Sequence, residues 1–247
     1  MTAAGALLFG KYAFPPNQLG YCGPDDHPAL LQYVAQRTVD RGLVELERRF
    51  EGAYPYLCLI AEANGVADPF DERVVEAYWI GNQLLERVEA RPMHESLRAR
   101  FAPRMKSAEF GWLASKLEHG ARPHHNFHVF DVYVRAGLMK DERAARIAVD
   151  TMDACRVSWG RVQAIEADTL LVERQPLVLS GGKLALGAAE STRVTRQSGG
   201  QGLIGQVADG DDLSIHWSWA CDRLDERRLA LLRANTDRYL GLANLSL

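Results

Sequence analysis

The spacing of apolar residues divides this chain into two regimes. Up to about Asp150 the periodicity is helical. Between Pro28 and Arg37, Leu30, Leu31, Val34 and Ala35 make one apolar face, and Leu43, Leu46 and Phe50 repeat at helical spacing opposite Glu45, Arg48 and Arg49. The stretch from Asp71 to Val88 opens on acidic residues, which favour a helix start, and sets Val74, Val75, Tyr78, Trp79 and Leu85 to one side. Asp141 to Asp150 is rich in good helix formers. Joints are predicted at Phe14-Pro15-Pro16-Asn17, Cys22-Gly23-Pro24-Asp25-Asp26, Asn64-Gly65 and Arg122-Pro123. From about Ala154 the pattern shortens to strand-like runs: Arg161–Ala164, Thr169–Glu173, Leu184–Leu186, Glu190–Thr195 and Asp212–Trp217. Turns are expected at Glu166–Asp168 and Ser180–Lys183, and a flexible loop at Ser198–Gly202. Asp225 caps a last helix with Leu229, Leu232 and Tyr239 on one face. The expectation is an α+β protein: an all-helical domain over residues 1–150, then a small OB-like β-barrel with a C-terminal helix over residues 154–247.

Composition changes this picture only by exclusion. The net charge of −3 does not suggest nucleic-acid binding. No uncharged apolar run is long enough for a membrane helix. Lys11 follows the apolar N-terminal stretch instead of preceding it, so that stretch does not read as a secretory signal. Cys22, Cys58, Cys155 and Cys221 are far apart with no CxxC pair, which fits free thiols in a cytoplasmic setting.

Two clusters in the helical part carry candidate chemistry. The first is the loop from Tyr12 to Asp26, dense in turn formers and aromatics. Its plain role is a lead into the next helix with Asp25 or Asp26 as cap; as a binding loop it would present Asn17, Tyr21, Cys22 and Asp25. The second is His124-His125-Asn126-Phe127-His128. On a helix, His124 and His128 would share one face with Asp131 three residues on, a workable metal-ligand set, and Cys22 or Asp25 could complete it. The metalloprotease pattern needs a Glu beside the first His, and none is present. Ser198–Gly202 lacks the Lys-Ser/Thr of a phosphate-binding loop.

Two segments of the strand region carry a family resemblance. Cys155-Arg156-Val157-Ser158-Trp159-Gly160-Arg161-Val162 sets a cysteine at a fixed spacing before Gly, a basic residue and Val. Asp212-Leu213-Ser214-Ile215-His216 is followed, at fixed spacing, by Leu224-Asp225-Glu226. Together, over about the last 95 residues, they resemble the HypC/HupF/HybG-type chaperones of hydrogenase maturation. Trp159 stands where that family has Pro, Ser218 and Trp219 where it has Gly and Phe, and Cys155 is internal rather than next to the initiator Met. The resemblance implies an assembly chaperone or scaffold rather than an enzyme. Cys155 would hold an iron fragment or partner with His216 in support, and the partner would be a hydrogenase large-subunit precursor or another maturation protein. Two alternatives stand beside it: a metal-dependent enzyme built on His124 and His128, and an interaction module that keeps only the barrel fold.

Overall fold

The structure is a computed structural model that describes residues 3–133, 142–245 and 247. The helices are α1 (Ala3–Gln18), α2 (His27–Gln36), α3 (Arg41–Arg48), α4 (Tyr54–Ala63), α5 (Glu72–Trp79), α6 (Ala90–Phe101) and α7 (Ser107–Ser115). A short turn, α8 (His125–Phe127), runs directly into a π-helical segment, His128–Tyr133, and α9 (Glu142–Cys155) leads into the strands. These are β1 (Ser158–Ile165), β2 (Thr169–Arg174), β3 (Leu177–Ser180), β4 (Lys183–Leu186), β5 (Glu190–Thr195), β6 (Gln197–Ser198), β7 (Gln201–Gly202), β8 (Asp212–His216) and β9 (Trp219–Arg223), followed by α10 (Glu226–Asn244). The α+β class and the order of its parts are as the periodicity predicts.

Strands β1, β2, β5, β9 and β8 form a ring in that order, and β8 pairs back onto β1. Four of the five seams are antiparallel ladders. The β5–β9 seam is a single parallel bridge, Thr195 to Trp219, so the ring is thin on that side. Val162, Leu170, Val172, Val194, Leu213, Ile215 and Ala220 fill its interior. Gly160 leaves room for them: a side chain there would begin 3.0 Å from both Ile215 Cδ1 and Val172 Cγ2. The β3–β4 hairpin lies outside the ring against α9 and α10. The expected loop at Ser198–Gly202 is a tight hairpin, β6–β7, turning on Gly199 and Gly200.

Helix α1 is buried on nearly every side, as expected of a helix apolar all round. It packs on α2, α3 and α5 and also on β8 and β9. One hydrophobic core therefore runs from the helices through Leu177, Leu184, Trp219 and Cys221 into α10. Two expectations are corrected here. The joint at Phe14-Pro15-Pro16-Asn17 is the last turn of α1, which continues through both prolines. The helix expected over residues 71–88 stops at Trp79, because Gly81 takes φ +99° against the Asn235 side chain and a 3-10 turn, Gln83–Arg87, follows. The start expected at Asp141 lies outside the described residues, and the helix is described from Glu142 to Cys155, beyond the expected end at Asp150. Asp225 does cap α10, accepting from the Arg228 N–H.

The closeness of α1 to α5 is set by Gly5. An added Cβ would lie 1.9 Å from the Phe70 carbonyl oxygen, which is backbone and cannot rotate away. By helix propensity alone, Gly5→Ala should stabilise by about 1 kcal/mol. The clash reverses the sign. Urea denaturation of Gly5→Ala should show a net loss of about 1–3 kcal/mol, as for overpacking.

Candidate functional site

A cleft of about 1130 Å³ opens between the helices and the barrel. Its floor is made by His125, Cys155 and His216, one ligand atom of each lying within 4.8 Å of the others. Cys22, His128, Tyr78 and Trp217 line the same space. Three segments far apart in the chain meet here, and the backbone explains how each is held.

The first element is the end of α1. In a helix the Tyr12 carbonyl would accept from the N–H of residue 16, but residue 16 is proline and has none. The freed oxygen instead takes a hydrogen bond from His216 Nδ1 at 2.7 Å. The Tyr12 hydroxyl pairs with Ser214 Oγ at 2.8 Å, and Lys11 Nζ with Asp222 at 2.8 Å, so α1 is tied to β8 and β9 at three points. A carbonyl can only accept, so Nδ1 carries the proton. His216 Nε2 is left with its lone pair, buried and with no hydrogen-bond partner.

The second element is the C-terminus of α9, whose last carbonyls have no intrahelical donor. The Met152 carbonyl accepts from Arg156 N at 2.8 Å and the Ala154 carbonyl from Trp217 N at 2.8 Å. The Cys155 carbonyl accepts from His125 Nε2 at 2.7 Å. That bond puts the proton on Nε2 of His125 and leaves Nδ1 as an acceptor, which faces the Tyr78 hydroxyl at 3.3 Å. Both imidazoles thus donate to an orphaned main-chain oxygen and keep the other nitrogen as a base, the arrangement that orients metal-binding histidines. Asp153 anchors the same helix end, accepting from Arg156, Arg174 and the Leu177 N–H.

The third element is the loop after α1. Asn17 is buried and its Nδ2 donates to the carbonyls of Cys22 (2.8 Å) and Pro24 (2.6 Å), which curls the loop so that Cys22 faces the cleft. Tyr21 stacks on Trp217 with centroids 4.4 Å apart. Trp217 and Ser218 form the two-residue β8–β9 turn, both at positive φ (47° and 64°), a conformation usually left to Gly or Asn. The Tyr21 stack and the bond to Ala154 hold that strained turn over the site.

Burial sets the protonation states. It lowers His216 to about 4 from the ordinary 6.5, opposed by the Tyr12 and Cys155 carbonyls beside its ring, and His128 to about 4, with the Arg100 charge adding to the effect. His125 lies well below its ordinary value through burial first and the neighbouring His216 second. Burial pushes the Cys155 thiol up to about 12, opposed by the Trp217 indole, and Cys22 up to about 11. At neutral pH the site therefore offers neutral imidazoles and protonated thiols. Such a thiol is a poor nucleophile, but it becomes a metal ligand once a cation displaces its proton. Two imidazole nitrogens and one sulfur suit zinc, iron, nickel or copper, and with three protein ligands one side stays open to the cleft.

The residues expected from sequence are distributed unevenly. Cys155 and His216, singled out by the two strand-region motifs, lie together on the floor, and His128 and Cys22 join them. His124 does not. It caps α8 in an extended conformation, its Nδ1 accepts from Asn126 N at 3.0 Å, and its ring stacks on Tyr239 at 5.0 Å. No regular helix carries His124 and His128 on one face, because Pro123 precedes the start and the π-helical segment changes the repeat. Asp131 is likewise turned away, buried beside Lys116 at 3.5 Å. Asp25 is exposed outside the cleft, and Asp26 occupies the α2 cap position without a side-chain cap bond. His125 is the ligand candidate the i, i+4 reasoning passes over. The four cysteines are all free, with Cys58 half-buried on α4 and Cys221 buried on β9.

The donor set and the open cleft define a candidate mononuclear metal site at the junction of a helical bundle and a small barrel. Over residues 1–247 the chain matches the family described as a family of unknown function (DUF6390), and it belongs to that family. No curated protein and no solved structure matches it.

Two expected outcomes test this geometry. Pro16→Ala would give the Tyr12 carbonyl a competing N–H; nitrogen-15 spectra of the His216 ring should then move from the Nδ1–H tautomer toward a mixture with Nε2–H. The second concerns pH. Because the folded histidines have lowered values, the unfolded chain takes up protons first as pH falls. Their stabilisation is complete above about pH 6.5 and is lost progressively toward pH 4. The metal-free protein should lose denaturant resistance across that window, and His216→Gln should reduce the slope by about one proton.

Proposed function

We propose that this protein is an accessory factor of nickel–iron hydrogenase maturation that holds an iron fragment between Cys155, His216 and His125 while docked on its partner. The observation that carries the reading is the buried, unpartnered Nε2 of His216 beside the Cys155 thiol. The two motifs that resemble the HypC-type chaperones contribute these two residues, and the fold brings them to one point. The thiolate supplies the soft donor that low-spin iron with strong-field ligands favours, and the imidazoles supply borderline donors. His125 extends this set from the helical part of the chain. The partner would be a hydrogenase large-subunit precursor or another maturation protein. The setting would be cytoplasmic, in keeping with four free thiols; among the described residues no helix is long and apolar enough to cross a membrane.

The size of the cleft favours a second reading, a metal-dependent enzyme on the same His–Cys–His floor, because 1130 Å³ leaves room for a substrate beside the metal. Anaerobic purification of the full chain with metal analysis and pull-down separates the readings. The carrier reading expects stoichiometric iron, lost in both Cys155→Ala and His216→Ala, and co-purification of a hydrogenase precursor, abolished in Cys155→Ala. Stoichiometric zinc or nickel without a hydrogenase partner supports the enzyme. Metal-free protein whose partner binding survives Cys155→Ala overturns both and leaves an interaction module.

A further inference from the structure

The walls of the cleft carry charge that the metal floor does not use. Arg48 and Arg49, at the end of α3, and Arg100 and Arg104, at and just beyond the end of α6, all line it. Glu51 is the one carboxylate among the described lining residues. Among the described residues none of these four arginines is ion-paired to a carboxylate, although acidic side chains outnumber basic ones in the chain, 32 to 29. Elsewhere on the surface some arginines find acids, as Arg41 with Glu45, Arg73 with Asp71, Arg227 with Glu76 and Arg238 with Glu86, and others, such as Arg87 and Arg161, do not among the described residues. What marks Arg48, Arg49, Arg100 and Arg104 is that they share one cleft with a single carboxylate among its described lining residues.

Arg100 is the fixed member of the group. Its Nη2 donates to the Glu51 carbonyl at 2.9 Å and the Gly52 carbonyl at 3.5 Å, and its guanidinium lies over the Tyr56 ring at 4.5 Å and the Phe101 ring at 4.9 Å. Gly52 joins this wall to the floor. A side chain there would begin 3.5 Å from Cys22 Sγ and 3.7 Å from His128 Nε2. The positive wall and the His–Cys floor therefore belong to one space, and the histidines, neutral through burial, add no charge of their own near neutral pH.

We infer that the cleft binds a compact anion, a phosphate-type oxyanion or a carboxylate, gripped by Arg100 with Arg48, Arg49 and Arg104 at the mouth. A guanidinium matches both groups in geometry, and a partly desolvated one held rigid by its neighbours pays little ordering entropy on binding. The arginines also raise the local concentration of anions in a protein that is negative overall. This goes beyond the metal reading, since none of the four arginines is a metal ligand.

The test uses full-length, metal-free protein and calorimetric titration with orthophosphate and, separately, malonate, at ionic strength held constant with chloride. Saturable binding of either anion is expected; phosphate alone identifies an oxyanion site and malonate alone a carboxylate site. Arg100→Met should weaken that binding about tenfold or more. Arg49→Gln, at an exposed position that cannot threaten folding, should weaken it by a smaller factor. No saturable binding of either anion, or binding that Arg100→Met and Arg49→Gln leave unchanged, overturns the inference. Because no metal is present in the titration, either conclusion can fail without the other.

Discussion

A proline without an N–H sets the geometry of this protein's site. Pro16 cannot donate to the Tyr12 carbonyl, and the helix does not break there because only its last turn is affected. The unsatisfied oxygen is buried, where an unpaired acceptor costs about 1–3 kcal/mol. His216 satisfies it from β8, more than two hundred positions away in the chain. That one bond orients the imidazole, fixes its tautomer and seats α1 on the barrel. The Lys11–Asp222 and Tyr12–Ser214 contacts flank it on the same helix turn, so the junction cannot slide without breaking all three.

The end of α9 repeats the same logic with a different cause. Every helix leaves its last carbonyls without partners. Here the donors are His125 and the main chain of Trp217, and both belong to the cleft. The floor is thus assembled from backbone deficits: a carbonyl freed by proline and a carbonyl freed by a helix end each recruit one histidine. Neither imidazole needs a metal to hold its position.

Much of the fold is visible in residue patterns, and the site is visible only in part. Four of the five ring strands, β1, β2, β5 and β8, and the last helix follow from short β-branched runs, Gly turns and the Asp225 cap, whereas β9 (Trp219–Arg223) does not, because its Trp-Ala-Cys-Asp-Arg run has no β-branched residue and no alternation. Local signals fail where tertiary contacts override them. Two consecutive prolines read as a joint, yet they close α1, because burial of Phe14 against Trp219 and the bond to His216 hold the turn. The 71–88 stretch has helical periodicity, yet Gly81 and the packing of Asn235 end it early. Cys155 and His216 could be picked out because each sits in a short local pattern. His125 could not, because i, i+4 spacing assumes a regular helix and the segment after Phe127 is π-helical. Nothing local to the loop at Cys22 shows that Tyr21 will stack on a tryptophan from the barrel.

The protonation states explain why such a site is buried at all. An exposed pair of histidines would be partly protonated in mildly acidic conditions and would repel a cation. Burial removes that charge and keeps both nitrogens available as bases. The same burial holds Cys155 protonated, so the unliganded thiol resists oxidation and carries no charge into a low-dielectric floor. A metal bound there would have to expel the Cys155 proton, and the thiolate so created would be neutralised by the metal rather than left unpaired. The energetic cost of burying the sulfur would then act as selectivity: only a cation with enough Lewis acidity to displace that proton would gain the third donor, while weaker cations would meet two neutral imidazoles and a thiol.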